Sequence, residues 1–160
     1  MRVGAEPRLM TPRDRTATGR FRVLAIANET VAGDALHQVI ADHACNCPTD
    51  VLVVAPALNS RLRHWLSDED GARAAAEERL ARSVERLDAA GVPAYGWVGD
   101  ADPLEAIADA LAIFPADQLI ISTHPEERSN WLARDVVGRA QERFGLPITH
   151  VVPERMLLAA

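Results

Sequence analysis

The chain has 160 residues, enough for one hydrophobic core of ordinary domain size, and 48% hydrophobic with 25% charged residues is globular rather than disordered composition. Its 17 basic residues are all arginine, its net charge is −6, and the stretch from Met1 to Arg22 is itself positive, which leaves an acidic body that repels nucleic-acid phosphate. No stretch is apolar enough to span a membrane and the N-terminal segment lacks the apolar centre of a signal peptide, so the expected compartment is the cytoplasm, with neither nucleic acid nor membrane as partner.

Residues 1–20 mix Arg, Pro, Thr and Gly without an apolar period and are expected to form a flexible Arg-rich tail, an arm for a partner, or sequence ahead of the true start. A single α/β domain is expected over residues 21–155. It opens with the apolar run Val23-Leu24-Ala25-Ile26-Ala27, a strand covered on both faces. Leu36 to Ile40 mark a short helix, at whose end stand Cys45 and Cys47, a spacing that matches neither C-x-x-C nor a zinc pattern. Such a pair reads as incidental packing. Val51-Leu52-Val53-Val54 is a second strand, and Asp70 to Ala90 a helix with a stripe through Ala76, Leu80, Val84 and Leu87, closed by Gly91.

Ala94 to Val98 follow Pro93 as a third strand. Asp102-Pro103-Leu104-Glu105 then combines an N-cap acid, a proline at the first helical position and a following Glu, so a helix starts there, with its stripe at Leu104, Ile107, Leu111 and Phe114 and its stop at Pro115. Leu119-Ile120-Ile121 is a fourth strand. Leu132, Val136, Ala140 and Phe144 mark a last helix, with Ser129 or Asn130 as its cap, and Ile148 to Val152 a fifth strand. Strict alternation of strand and helix implies right-handed crossovers and one doubly wound, Rossmann-like parallel sheet of α/β class, order 3-2-1-4-5, with helices on both faces. Ligands in such sheets lie beyond the carboxyl ends of the strands where the order reverses, which directs attention to the loops after the first and fourth strands.

Arg22 to Asn28, Gly99-Asp100-Ala101-Asp102-Pro103, Ala116 to Ile121 and Leu146-Pro147-Ile148, in that order over residues 22–152, resemble the universal stress protein family. Nucleotide-binding members carry G-x-x-G, a spacer of about nine residues and then G-S or G-T after the fourth strand, where small residues let backbone N–H groups approach phosphate. Aligned on that strand, the two glycines fall on Ser122 and Pro125; aligned back from Pro147, the last pair falls on Arg134 and Asp135, with the spacer one residue short. The aspartate such members carry after the first strand is here Asn28. The resemblance therefore implies a UspA-like fold with a divergent nucleotide loop: Pro125 removes an N–H donor and Asp135 sets a like charge beside a phosphate. His124, Arg128 and Arg134 would still favour an anion.

The candidate ligand-binding residues are Asn28, Thr30, Val54, Ser122, Thr123, His124, Arg128, Arg134 and Asp135. For several, a plain reading competes: His124 and Arg128 as solvated loop charges, Arg134 and Asp135 as surface groups one turn into the last helix, Asp102 as a cap rather than half of an acid pair with Asp100. Trp97 and Trp131 read as core or interface anchors. No catalytic residue, metal or cofactor is expected, with ATP or another anion as the open ligand question. Three functions compete: a non-catalytic stress or regulatory module with weak or altered ligand binding, an adenine-nucleotide binder with at most slow ATP hydrolysis, and a protein-interaction module with a vestigial pocket. The last strand should be a sheet edge, and the resemblance implies a homodimer through it.

Overall fold

The computed structural model describes residues 20–27, 34–56, 69–123 and 135–152. In chain order these form β1 (Phe21–Ala27), α1 (Asp34–Asn46), β2 (Thr49–Pro56), α2 (Glu69–Ala89), β3 (Ala94–Gly99), α3 (Pro103–Ile113), β4 (Gln118–Ser122), α4 (Val136–Phe144) and β5 (Ile148–Val151). The strands make one five-stranded sheet in the order β3-β2-β1-β4-β5. All four pairings are parallel, as the alternating sequence requires.

The continuous apolar runs are explained by burial on both sides of this sheet. In β1, Val23, Ala25 and Ala27 point to the face covered by α1 and α2, where they meet Leu36, Ile40, Leu80 and Leu87. Leu24 and Ile26 point to the other face and pack with Leu104, Ile107 and Phe114 of the α3 region and with Val136 and Ala140 of α4. Every one of these strand side chains is fully buried, so a strand that showed polar alternation at this place would leave unpaired groups in the core. Trp97 and Tyr95, on the edge strand β3, are half-buried against the α3 face. Trp131 lies outside the described residues.

The helix signals hold with adjusted limits. Asp102 is extended at φ −80°, ψ 119°, and its carboxylate accepts from Leu104 N at 2.9 Å, with Pro103 at the first helical position. Gly91 takes φ +82° after α2, the left-handed conformation that glycine adopts without a Cβ clash. The first helix is longer than its apolar core Leu36 to Ile40 suggested, because polar residues extend it from Asp34 to Asn46. The stripe of α2 contains one polar member unmarked by apolar periodicity: Ser83 is fully buried, and its Oγ lies 2.7 Å from His37 Nε2 of α1.

The amino end of the sheet is tied down by polar contacts. Arg22 N donates to Asp117 Oδ2 at 2.9 Å while Asp117 N donates to Arg22 O at 2.8 Å, which clasps the start of β4 to β1. Arg20, the last residue of the predicted tail, pairs with Asp50 at 2.8 Å and donates to the Thr49 carbonyl at 3.3 Å, holding the start of β2.

At the carboxyl end, Gly99 closes β3 with α3 pressed against it. A Cβ there would stand 2.8 Å from Ala106 Cβ and 3.0 Å from Val54 Cγ1, and neither neighbour is the free end of a long side chain. Gly99→Ala is therefore expected to lower stability by about 1–3 kcal/mol, the ordinary effect of overpacking, visible as a lower denaturation midpoint with an unchanged m-value. An unaltered midpoint would show that α3 shifts freely on the sheet.

Candidate functional site

All five strands point their carboxyl ends the same way, and the strand order reverses between β1 and β4, where Ala27 stands opposite Ser122. Chain direction alone points to the place: β1 is followed by α1 and β2 on one side and β4 by α4 and β5 on the other, the reversal of order beside which parallel sheets hold their ligands. The right-handed crossovers bring each helix back antiparallel to the strands, which puts the positive N-terminal ends of α1 and α4 at this same edge.

Of the sequence candidates, Ser122 and Thr123 stand at the end of β4 and are buried, Ser122 completely. Thr123 N donates to the Val151 carbonyl at 2.9 Å, so the ladder to β5 runs one residue beyond the strand. Val54, two places from the end of β2, is fully buried in the α3-side core and meets the site as support for Gly99 rather than as an exposed surface. Asn28, Thr30, His124, Arg128 and Arg134 lie outside the described residues, as do Ser129 and Asn130.

Asp135 differs from its expected place. It does not lie one turn inside the last helix but stands immediately before it, as the cap of α4, in the left-handed conformation at φ 49°, ψ 47°. Its Oδ1 accepts from Gly138 N at 3.3 Å. The reason is local chemistry: Asp tolerates this conformation better than most residues, and a carboxylate is a strong acceptor for the unpaired N–H groups of a helix start. Gly138 is the second half of the arrangement, since a Cβ there would lie 2.5 Å and 2.7 Å from the two carboxylate oxygens. The sequence signal was present as D-x-x-G, but helical periodicity through Leu132 and Val136 masked it.

His150 was given no role by its sequence context. On β5 it faces the same side as Thr123, and its Nε2 lies 2.7 Å from Thr123 Oγ1, so an exposed imidazole sits beside the buried hydroxyl at the end of β4. Partial burial holds its pKa below the ordinary histidine value. Parallel register was the signal that could have found it, because pairing Ile121 with His150 puts the next residue on that face, Thr123, within reach. Asp100 and Asp102 are already engaged: Asp100 Oδ1 accepts from Asp102 N at 2.8 Å while Asp102 caps α3. His37 is committed to Ser83, between α1 and α2.

No protein-family model matches the sequence, and no curated protein does. Solved structures do match in fold. A universal stress protein from Archaeoglobus fulgidus superposes with a TM-score of 0.59 at 18% identity, over 81% of this chain and 92% of that one. A universal stress protein from Archaeoglobus fulgidus in complex with dAMP gives 0.57 at 19% identity, over 82% and 96%. A universal stress family protein from Arabidopsis thaliana with AMP bound gives 0.56 at 11% identity, over 82% and 91%. The chain has the fold of these proteins across nearly their whole length.

Two outcomes are expected. Asp135→Ala should cost about 1–2 kcal/mol through loss of the cap, and Gly138→Ala should be destabilising with Asp135 present yet neutral or stabilising in the Asp135→Gly background. A double-mutant cycle with additive effects would break the link between these residues. For His150 the folded pKa lies below the unfolded one, so its contribution is full while the imidazole is neutral in both states and is lost as pH falls through the unfolded value. Denaturation at about pH 7.5 and about pH 5.5 should show a smaller acid loss in His150→Gln than in wild type.

Proposed function

We propose that this chain is a non-catalytic regulatory module of the stress-protein type, working as a homodimer, whose crevice at the ends of β1 and β4 takes adenine nucleotides weakly. The observation that carries this is Asp135, whose carboxylate occupies the start of α4 and accepts from Gly138 N at 3.3 Å. A phosphate arriving there meets a like charge and finds that N–H group already engaged. Structures of the same fold hold AMP and dAMP, which supports the nucleotide class of ligand, while the glycines aligned with Ser122, Pro125 and Arg134 are replaced here.

The non-catalytic reading rests on how the described polar groups at that edge are used. Asp100 and Asp102 serve the cap of α3, Asp135 the cap of α4, and Thr123 is paired with His150. Dimerisation is supported by β5, which among the described residues is an edge strand with no strand on its outer side, and whose next residue, Val152, is an exposed apolar side chain. Among the described residues no helix is long and apolar enough to cross a membrane.

Each lost close contact between backbone and phosphate removes about 1.5–3 kcal/mol, so two such losses weaken ATP about a hundredfold or more. Calorimetric titration of wild type and of the variant Ser122→Gly, Pro125→Gly, Arg134→Gly, Asp135→Ser should show weak binding that the variant strengthens by at least about tenfold. Tight ATP binding by wild type would favour a genuine nucleotide binder instead. An unresponsive variant would favour the interaction module with a vestigial pocket.

A further inference from the structure

Away from the crevice, reactive side chains gather where α1 ends, at the opposite edge of the sheet. Cys45 in the last turn is exposed, and Cys47, the first residue past the helix, is half-buried; both thiols are free. Cys47 Sγ lies 3.8 Å from His43 Nδ1 and 3.7 Å from Thr49 Oγ1. The imidazole is held in place by stacking on Phe21 of β1, with centroids 4.6 Å apart and planes 23° from parallel. Thr49 Oγ1 donates to the Cys47 carbonyl at 2.9 Å and fixes the backbone of the turn. A nucleophile, a base oriented by a third group and a second thiol two residues away are the parts of a thiol switch. Among the described residues no three His, Cys, Asp or Glu converge as metal ligands, so thiol chemistry is the use this cluster supports.

We propose that Cys45 and Cys47 close a reversible disulfide on exposure to hydrogen peroxide, with Cys47 as attacking sulfur and His43 as its proton acceptor. With the imidazole proton on Nε2, Nδ1 takes the Cys47 thiol proton. The thiolate attacks one peroxide oxygen, the O–O bond breaks, and the leaving hydroxide recovers the proton from His43 as water, leaving a sulfenic acid on Cys47. Cys45 sulfur then attacks Cys47 sulfur, the S–O bond breaks, and the departing hydroxide leaves with the Cys45 proton as a second water. The dithiol loses two electrons and the peroxide gains them.

Geometry sets the structural consequence. Cys45 lies in the last turn of α1 and Cys47 one residue past its end; the helical spacing for two residues, about 5.5 Å between Cα atoms, is within disulfide range, although helical side chains at that spacing diverge. Closure therefore opens the last turn of α1 around Asn46 and breaks the bond from Asn46 Nδ2 to the Asp42 carbonyl, 3.2 Å long. A helix end is where such opening is least costly. Proton acceptance by His43, whose Nδ1 faces Cys47 Sγ at 3.8 Å, is the step on which the rate depends. The next carbonyl, of Pro48, accepts from Phe21 N at 2.9 Å, so the change reaches the start of β1.

The test is peroxide treatment of the full chain followed by intact mass. Expected are a loss of about 2 Da per chain, reversed by dithiothreitol, and in Cys45→Ser a sulfenic acid that dimedone traps. His43→Gln should slow disulfide closure at least about tenfold with an unchanged circular dichroism spectrum. Unchanged mass, disulfide-linked dimers, separate oxidation of each thiol to sulfinic acid, or an unslowed rate in His43→Gln would each overturn the proposal.

Discussion

Everything in this domain depends on β1 being hydrogen-bonded on both edges and covered on both faces. Its residues pair with β2 on one side and β4 on the other, and Val23 to Ala27 have no exposed surface at all. A strand in that position has no solvent-facing side on which to carry function. Chemistry is displaced to its ends, and the two ends are treated differently. The amino end is closed by Arg22, Asp117, Arg20 and Asp50, whereas the carboxyl end is where the chain departs in two directions.

Stability and ligand chemistry are thereby separated along one axis. Groups at the carboxyl end can change without loosening the clasp at the other, provided that packing under the crevice is kept. Gly99 and Val54 show the limit of that freedom, since they lie at the same end yet are fixed by the close approach of α3. Asp135 shows its extent: a residue that the resemblance places at a phosphate contact has become an internal cap, and Gly138 accommodates it without disturbing Val136 or Ala140, which remain buried.

The fold was legible because its signals are local and repeated. Apolar runs bounded by turn residues gave the strands, capping residues such as Asp102 gave helix starts, and the alternation of the two gave a parallel sheet without knowledge of any contact. The site was legible only as a location. Asp135 was misplaced by one turn because the apolar spacing of Leu132, Val136 and Ala140 fits a continuous helix, and only backbone conformation shows that Asp135 stands outside one. His150 and the pair of His37 with Ser83 were invisible for another reason: each partnership spans many residues of sequence and depends on register between elements, which composition and periodicity do not encode.

The buried pair of His37 and Ser83 has a bearing on uniqueness. Apolar helix faces are forgiving, since a leucine slid by one turn meets another hydrophobic neighbour and loses little. A hydroxyl facing an imidazole at 2.7 Å in a buried interface is unforgiving, because another alignment of α1 and α2 leaves the hydroxyl without that partner. The alanine-rich α2, with small side chains that would slide easily, carries one polar residue at the place where sliding must be stopped. A serine that adds little to the hydrophobic core thus works as a detent, selecting one alignment from several of similar packing quality.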